Sequence, residues 1–490
     1  MGHQLGPTYL GIDLGTSGLR CLLVTQAGDF LGVSDQSYSV SSISSGYNEQ
    51  NPKDWIDALK AALSELRRTN AEAVANLDAI GIAGHMHGAT LLDKNGAILH
   101  PCILWNDTRS HKQASKLDQD KNLRSITGNI IFPGFTAPKL LWVKENKPEL
   151  FTNIAKVLLP ASYLGYYLTG DYFMDMSDAA GTSWLDVRNR CWSDYALNAG
   201  NMRSDQMPAL FEGSQVASTV SKFIADELGI PSGVSVVAGA GDNAAAACGV
   251  GIMQEGQGFV SLGTSGVLLT ARSECNPIAE SAVHTFCHAL PNTWYQMGVI
   301  LSATDSLNWL SSIIGRSPSQ LTAELNDKID GPSSEKFYPY LSGERTPLND
   351  AHIRGGFAGL STNSTAAKLT QAVMEGVAFA LCDCLESLKK AGPSPEQLLA
   401  IGGGSQSRYW LETIATSLNI SIARPSDGEY GAALGAARLA ILGKTGEPVK
   451  NILSQPAISE IIEPRQDLVD DYCQAFKTYK NAPSHLKSIQ

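Results

Sequence analysis

Apolar residues recur along the chain with two different spacings. A spacing of about 3.6 residues predicts amphipathic helices, whereas short runs of β-branched and large apolar residues predict strands. The predicted helices are Trp55–Leu66, Ala137–Lys144, Ser302–Ile314, Ala366–Lys389 and Ala432–Leu442, and the strand-like runs include Leu77–Ile82 and Val234–Ala238. Because strands alternate with helices, the pattern indicates an α/β fold with mixed sheets.

One sequence unit occurs twice. Tyr9-Leu-Gly-Ile-Asp-Leu-Gly-Thr-Ser-Gly18 is matched by Phe259-Val-Ser-Leu-Gly-Thr-Ser-Gly266, and an apolar run follows each copy. Each copy predicts a strand, a glycine-rich turn and a second strand. One such turn alone is more often just a tight hairpin, but two copies favour phosphate binding by exposed backbone amides and small hydroxyls. The predicted phosphate-binding residues are Gly15, Thr16, Ser17, Gly263, Thr264 and Ser265.

A third glycine-rich turn follows the apolar run that begins at Leu399. It contains Gly402, Gly403, Gly404 and Ser405 and precedes a segment with helical spacing, Trp410–Ser417. No Gly-Lys-Ser/Thr follows, so the turn is not a Walker A motif. Glycine backbone can lie flat against a base or ribose, so Gly403, Gly404 and Ser405 are predicted to contact the adenosine of a nucleotide.

The length of the chain predicts more than one domain. Its 490 residues, 43% of them hydrophobic and 17% charged, exceed what one core can usually organise, about 250 to 300 residues. A glycine-rich passage at 249–258 suggests the boundary. The expected divisions are 8–250, 251–445 and a C-terminal extension, 446–490, that packs on the second domain.

Charge and cysteine content restrict the partners and the compartment. A net charge of -11 without a basic cluster argues against nucleic acid and anionic membranes as partners. Nine scattered cysteines without CxxC spacing favour reduced thiols. No signal peptide or long apolar run is apparent, so a cytoplasmic location is expected. The oligomeric state stays open, with a homodimer as one expectation.

Two aspartates are candidates for the chemistry. Asp242 follows a predicted strand and precedes the small-residue segment Ala244–Ala247, so it could act as a general base that faces a cleft. A plain helix N-cap is the alternative interpretation. Asp13 ends the first strand, where its carboxylate could bind Mg²⁺ through water or simply hydrogen-bond the turn as an Asx residue.

Two segments resemble the signatures of the FGGY carbohydrate kinases. The first is Gly134-x-Thr136-x-x-Lys139-Leu140-x-Trp142-Val143-x-Glu145-Asn146, and the second is 355–375, with Lys368 where an acidic or amide residue is usual. The resemblance implies two actin-like (ribonuclease H-like) α/β domains of the sugar kinase, heat-shock ATPase and actin superfamily, with an interdomain catalytic cleft. It also implies ATP and Mg²⁺ and places the catalytic aspartate at Asp242.

Three further strings are similar to family members that phosphorylate D-xylulose to D-xylulose 5-phosphate in D-xylose catabolism. They begin at Gly84, Leu104 and Ala238. By this resemblance Met86 and His87 contact the sugar and Asn243 supports its hydroxyls. The full set of predicted sugar-binding residues is Met86, His87, Trp105, Asn106, Asp107 and Asn243.

Three alternatives are compatible with parts of the sequence. His85 stands where those members usually have Gln, which leaves a kinase for ribulose or another polyol open. A chaperone or cytoskeletal ATPase would need a peptide-binding domain or a filament surface. A sugar-binding regulator without catalysis would not need Asp13, both Thr-Ser turns and Asp242.

Overall fold

The computed structural model describes residues 5–325, 328–426, 431–481 and 486. By contacts between residues the chain forms two compact units. The first comprises residues 1–253, 286–294 and 430–455, and the second comprises 254–285, 295–429 and 456–490. Each unit is therefore assembled from segments that are far apart in the sequence.

The strands in the described part of the chain are short and mostly buried. In chain order they are β1 Thr8–Leu14, β2 Gly18–Thr25, β3 Phe30–Ser37, β4 Ser41–Ser44, β5 Tyr47–Gln50, β6 Leu77–Gly84, β7 Ala89–Leu92, β8 Ile98–Ile103, β9 Lys156–Leu158, β10 Phe173–Asp175, β11 Leu185–Asp186, β12 Cys191–Trp192, β13 Ala209–Phe211, β14 Val216–Thr219, β15 Ser235–Val237, β16 Ala240–Gly241, β17 Gln257–Leu262, β18 Gly266–Arg272, β19 His284–Cys287, β20 Trp294–Ile300, β21 Lys336–Tyr338, β22 Gly356–Ala358, β23 Gln397–Ile401, β24 Ser421–Pro425 and β25 Ile458–Ile462.

The helices of the same ranges include every helix that the apolar spacing predicted. They are α1 Pro52–Thr69, α2 Ala71–Ala75, α3 His111–Asp118, α4 Lys121–Thr127, α5 Thr136–Asn146, α6 Pro148–Thr152, α7 Pro160–Thr169, α8 Met176–Ala180, α9 Asp194–Ala199, α10 Lys222–Leu228, α11 Asp242–Gly249, α12 Thr304–Ile314, α13 Pro318–Thr322, α14 Ala366–Leu388, α15 Arg408–Leu418, α16 Gly431–Thr445, α17 Val449–Ile452 and α18 Val469–Lys480. Within these residues no helix is long and apolar enough to cross a membrane.

Helix α1 shows how local sequence defines an element. The Asn51 side chain accepts a hydrogen bond from the Lys53 amide at 3.1 Å, and Pro52 occupies the first turn, where no amide donor is needed. Trp55, Leu59 and other residues of one face are buried. That face packs in the core of the first unit.

The central sheet of the first unit has the order β14-β15-β6-β1-β2-β3, and β16 pairs with β6. Strands β1 and β2 form the predicted first hairpin, and β1 runs parallel to β6. Helix α16 packs against this sheet at two glycines. A Cβ on Gly11 would lie 1.8 Å from the Ala433 carbonyl oxygen, and one on Gly81 would lie 2.0 Å from that of Ala436. The helix therefore approaches the sheet more closely than side chains would permit.

A seven-stranded sheet, ordered β19-β20-β18-β17-β23-β24-β25, organises the second half of the fold. Strands β17 and β18 are antiparallel and form the predicted second hairpin. Strand β23 runs parallel to β17 and leads through a 3₁₀ turn, Gly403–Gln406, into α15. The core beside this sheet contains α14, whose predicted start at Ala366 is the observed one.

Candidate active site

Asp242 and Asp13 lie at one edge of the first sheet because of strand register. Asp13 of β1 is in register with Ala83 of β6, and Ala83 is in register with Ala240 of β16. The three strands are parallel, so the residues that follow them emerge at the same edge. These segments are the Gly15 turn, His85–His87 and Asp242. Residues that are about 230 positions apart in sequence thus meet in one site.

Asp242 is the first residue of α11, and the N-cap of that helix is Gly241. Its Oδ1 accepts hydrogen bonds from the Asn243 amide at 2.6 Å and from the Asn243 side chain at 2.9 Å. Burial raises the pKa of Asp242, and the two hydrogen bonds from Asn243 oppose that shift. The plain N-cap interpretation does not hold, because Gly241 occupies the cap position and the carboxylate is directed to its neighbour.

Asp13 lies close enough to Asp242 for the charge of Asp242 to shift its pKa. Its pKa is raised to about 7, first by burial and then by the charge of Asp242, while Arg20 opposes the shift. A pocket in which the charge of Asp242 raises the pKa of Asp13 is one where negative charges repel each other. A cation is the natural complement of such a pocket.

One backbone hydrogen bond and three from side chains hold the first predicted phosphate-binding turn, residues 15–17. The Gly15 amide donates to the Gly18 carbonyl at 2.9 Å, and the Tyr38 hydroxyl donates to the Gly15 carbonyl at 2.6 Å. Gln50 donates to the Thr16 carbonyl at 2.6 Å. The indole of Trp105 donates to the Thr16 hydroxyl oxygen at 3.0 Å. Ser17 is exposed at the tip.

His87 has an unusual backbone conformation that its neighbours support. Its φ is +70°, in the left-handed region where non-glycine residues are uncommon. The His87 carbonyl accepts hydrogen bonds from Thr136 at 3.1 Å and from Lys139 Nζ at 2.9 Å. Its ring Nδ1 lies 2.7 Å from the Gly181 carbonyl and its ring stacks on Phe135. Residues of the first FGGY-like signature thus fix the position of His87.

The neighbouring predicted sugar residues differ in exposure. Met86 is buried and Trp105 is 45% exposed. Asn106 is exposed, and its carbonyl accepts a hydrogen bond from Asn48. Asp107 is fully buried, and its carboxylate accepts from Arg109 at 2.7 Å and from the Asn48 amide at 2.7 Å. Asp107 therefore anchors the loop that carries Trp105.

In the second unit the other two glycine-rich turns lie against each other. The Gly263 carbonyl accepts a hydrogen bond from the Thr304 hydroxyl at 2.7 Å, while Thr264 and Ser265 are exposed. A Cβ on Gly404 would lie 2.7 Å from that of Leu262, the residue before the turn. The Ser405 hydroxyl donates to the Gly402 carbonyl at 2.6 Å, and Gly403 is exposed with open space around it.

The donor set at Asp13 fits magnesium. Mg²⁺ prefers oxygen ligands and keeps several waters, so a single carboxylate with substrate phosphates is a usual arrangement. Among the described residues no group of three or more His, Cys, Asp or Glu could hold a metal ion. If Mg²⁺ binds here, Asp13 is the carboxylate that would hold it, through water. The ion would supply neutralisation of phosphate charge.

These features define a sugar kinase of the actin-like superfamily, and comparison with known proteins identifies the family. The model of the FGGY family of carbohydrate kinases, N-terminal domain, matches residues 8–249, and the model of its C-terminal domain matches residues 258–443. The chain belongs to the FGGY family of carbohydrate kinases. The predicted fold class and the predicted carbohydrate kinase activity are confirmed.

Within the family the chain is similar to proteins named xylulose kinase. It is 43% identical over 441 residues to the xylulose kinase of Escherichia coli (strain K12), with 90% of each chain covered. It is 40% identical to that of Klebsiella pneumoniae over 98% of this chain and 99% of the relative. A crystal structure described as a xyloylose kinase from Brucella ovis is 50% identical, with a TM-score of 0.97 over 99% of this chain and 100% of that one.

Several residues that shape the site were not predicted to do so. Thr136 and Lys139 were identified from the sequence as signature residues, but their hydrogen bonds to the His87 carbonyl were not predicted. Gln50, Ser177 and Asp178 gave no sequence signal, because each acts through a partner that is distant in the chain. A pattern search for short-range motifs cannot find such residues.

Proposed function

We propose that this kinase phosphorylates D-xylulose to D-xylulose 5-phosphate at the expense of ATP, with Asp242 as the general base. The single observation that carries the base assignment is the strand register that brings Asp242 to the same edge as Asp13 and the first phosphate-type turn. The substrate assignment is supported by the 40–43% identity to proteins named xylulose kinase. The ribulose alternative based on His85 is not favoured.

Asp242 would receive the proton of the sugar hydroxyl that becomes phosphorylated. The hydroxyl oxygen then forms a bond to the γ-phosphorus while the bond from that phosphorus to the bridging oxygen of ADP breaks. ADP leaves, and Asp242 later releases the proton to solvent. The two hydrogen bonds from Asn243 leave Asp242 Oδ2 as the more available acceptor atom.

The other predicted residues take supporting roles in the proposal. In the first unit, Gly15, Thr16 and Ser17 bind phosphate, and Asp13 binds Mg²⁺ through water. Of the predicted sugar-binding set, Met86, His87, Trp105, Asn106 and Asn243 contact the sugar, and Asp107 supports them by anchoring the loop that carries Trp105. In the second unit, Gly263, Thr264 and Ser265 bind phosphate, and Gly403, Gly404 and Ser405 contact adenosine. Cytoplasmic location and a homodimer stay predictions.

An ADP-release assay tests both assignments. Wild type, Asp242→Asn and the exposed control Asp226→Asn are compared with Mg-ATP and D-xylulose, D-ribulose, L-ribulose, glycerol and gluconate. We expect selective turnover of D-xylulose and, in Asp242→Asn, a fall in kcat of about 100- to 10,000-fold. Asp226→Asn should match wild type, since Asp226 lies on the surface of α10.

Each result has a defined meaning. Preference for another polyol would overturn the substrate but keep the base. Wild-type kcat in a folded Asp242→Asn variant would show that another group receives the proton.

A further inference from the structure

A turn that begins with Asp175 lies directly beside Asp242 and has no role in the steps above. Asp175 is the N-cap of α8, and its Oδ1 accepts hydrogen bonds from the amides of Ser177 at 2.8 Å and Asp178 at 3.0 Å. The Ser177 hydroxyl also donates to Asp175 Oδ1. All three side chains are at most 1% exposed. We name residues 175–178 the Asp175 turn.

The Asp175 turn is connected to the backbone that carries the base. Ser177 Oγ accepts a hydrogen bond from the Gly241 amide at 2.9 Å, and Gly241 immediately precedes Asp242. Because the Ser177 hydroxyl gives its proton to Asp175, its lone pairs remain for the Gly241 amide. The direction of this hydrogen-bond chain is therefore fixed, from Gly241 through Ser177 to Asp175.

Asp178 shows that the same turn faces the reacting centre. Its carboxyl is fully buried, and among the described residues neither of its oxygens has a hydrogen-bond partner. Burial, Asp175 and Asp242 all raise the pKa of Asp178 well above its usual value. Burial and the neighbouring carboxylates of Asp175 and Asp242 thus disfavour a negative charge on Asp178.

The end of α8 contacts the predicted sugar-binding residues. A Cβ on Gly181 would lie 2.4 Å from His87 Nδ1 and 2.9 Å from Met86 Cε. A Cβ on Gly241 would lie 2.8 Å from Met86 Cγ. The Asp175 turn, the start of α11 and the Met86–His87 segment thus form one tightly packed wall, in which small displacements are transmitted.

We propose that Ser177 is a positioning residue for phosphoryl transfer and that it acts by fixing the amide that precedes Asp242. The inference rests on the proposed role of Asp242 as the base. Without the Ser177 hydroxyl, the buried Gly241 amide loses its acceptor and the first turn of α11 moves. A base displaced by about 1 Å loses rate without a matching loss of ground-state binding.

The test measures kcat and the KM values for sugar and Mg-ATP in Ser177→Ala, Ser177→Cys and Ser177→Thr, using the preferred acceptor from the substrate panel. Ser387→Ala is the control, because Ser387 is also buried and its hydroxyl donates to a backbone carbonyl at 2.9 Å, but it lies in α14. Asp242→Asn is measured in parallel. Circular dichroism and the thermal midpoint establish that each variant is folded.

We expect kcat of Ser177→Ala to fall by about 10- to 100-fold, with the KM for Mg-ATP within about threefold of wild type and a rise in the sugar KM that is smaller than the fall in kcat. Ser177→Cys should show the same split, since a thiol is a weak acceptor, and it replaces the alanine variant if that one does not fold. Ser177→Thr keeps the hydroxyl and should restore most of kcat. Ser387→Ala should keep wild-type kcat.

Three results would overturn the inference. The first is an unchanged kcat in folded Ser177→Ala or Ser177→Cys. The second is a fall in kcat/KM that comes from a higher KM and not from a lower kcat. The third is a fall in kcat of Ser387→Ala as large as that of Ser177→Ala. If Asp242→Asn is inactive in the same experiment, only the positioning role fails. If Asp242→Asn is fully active, the assignment of the base fails first and the role of Ser177 with it.

Discussion

At the residue scale, Lys139 is unusual because a lysine side chain is rarely buried completely. It is fully buried, and Nζ donates to the carbonyls of His87 at 2.9 Å and Gly134 at 2.7 Å. Burial lowers its pKa from 10.5 to about 7. A neutral amine keeps two N–H donors, enough for the hydrogen bonds to both carbonyls when the proton is lost, although these are weaker than those from an ammonium.

This shift predicts a pH-dependent stability. Between pH 7 and 10.5 the unfolded chain keeps the proton of Lys139 while the folded protein has released it. The unfolded state then binds more protons, so stability rises with pH in this range. We expect the urea midpoint of wild type to rise relative to that of Lys139→Met between pH 7 and 10.

The exposed Lys222→Met variant is the control for this experiment and should follow wild type at every pH. If the urea midpoints of wild type and Lys139→Met changed in parallel between pH 7 and 10, Lys139 would keep its proton in the folded protein.

At the element scale, glycines determine how closely the helices and the sheet of the first unit approach. A Cβ on Gly435 of α16 would lie 1.8 Å from the Ala245 carbonyl oxygen of α11, and one on Gly249 would lie 1.9 Å from that of Gly431. Both obstacles are backbone atoms that cannot rotate away. The position of α11, and with it Asp242, therefore depends on two glycine contacts.

Gly435→Ala is expected to destabilise the protein although alanine favours helices by about 1 kcal/mol over glycine. Overpacking against backbone costs about 1–3 kcal/mol, so the net change in unfolding free energy should be a loss, with a lower kcat. Thermal and urea unfolding measure the first effect and the ADP-release assay measures the second.

Gly356→Ala in β22 is the matched glycine, because a Cβ there meets nothing within 4 Å. It should change stability by at most about 0.5 kcal/mol. Equal effects of the two substitutions would argue against the contact with Ala245 as the cause.

At the scale of the whole molecule, the first unit is completed by residues from near the C-terminus. Helix α16 packs on β1 and β6, yet it follows nearly 180 residues that lie mostly in the second unit. Removing it would expose the face of the sheet that contains Gly11 and Gly81. Truncating the chain between the two family domains, near residues 249–258, therefore does not yield a complete first unit.

A fragment of residues 1–253 should consequently be aggregation-prone and rapidly proteolysed, since it lacks the helix that covers its sheet. The same fragment joined by a Gly/Ser linker to residues 431–455 should be more soluble and more resistant. Size-exclusion chromatography and limited proteolysis compare the two. Equal behaviour of both fragments would mean that α16 is dispensable for the first unit.

Local elements of the fold could be predicted from the sequence, whereas hydrogen bonds between distant segments could not. The two hairpins and the start of α14 at Ala366 follow from local pattern, and the structure has them. The hydrogen bond from Lys139 to His87 and that from Gly241 to Ser177 do not follow from it. Each joins segments that are more than 50 residues apart, and local spacing carries no information about such partners.

The sequence by itself determined the class of fold, the repeated glycine-rich turns and the candidate carboxylates, because each depends on side-chain type and short-range spacing. Only the tertiary structure decided that Asp13, Ala83 and Ala240 share a register and that α16 returns to the first sheet. Register and packing are set by burial summed over the whole unit. No single segment contains that information.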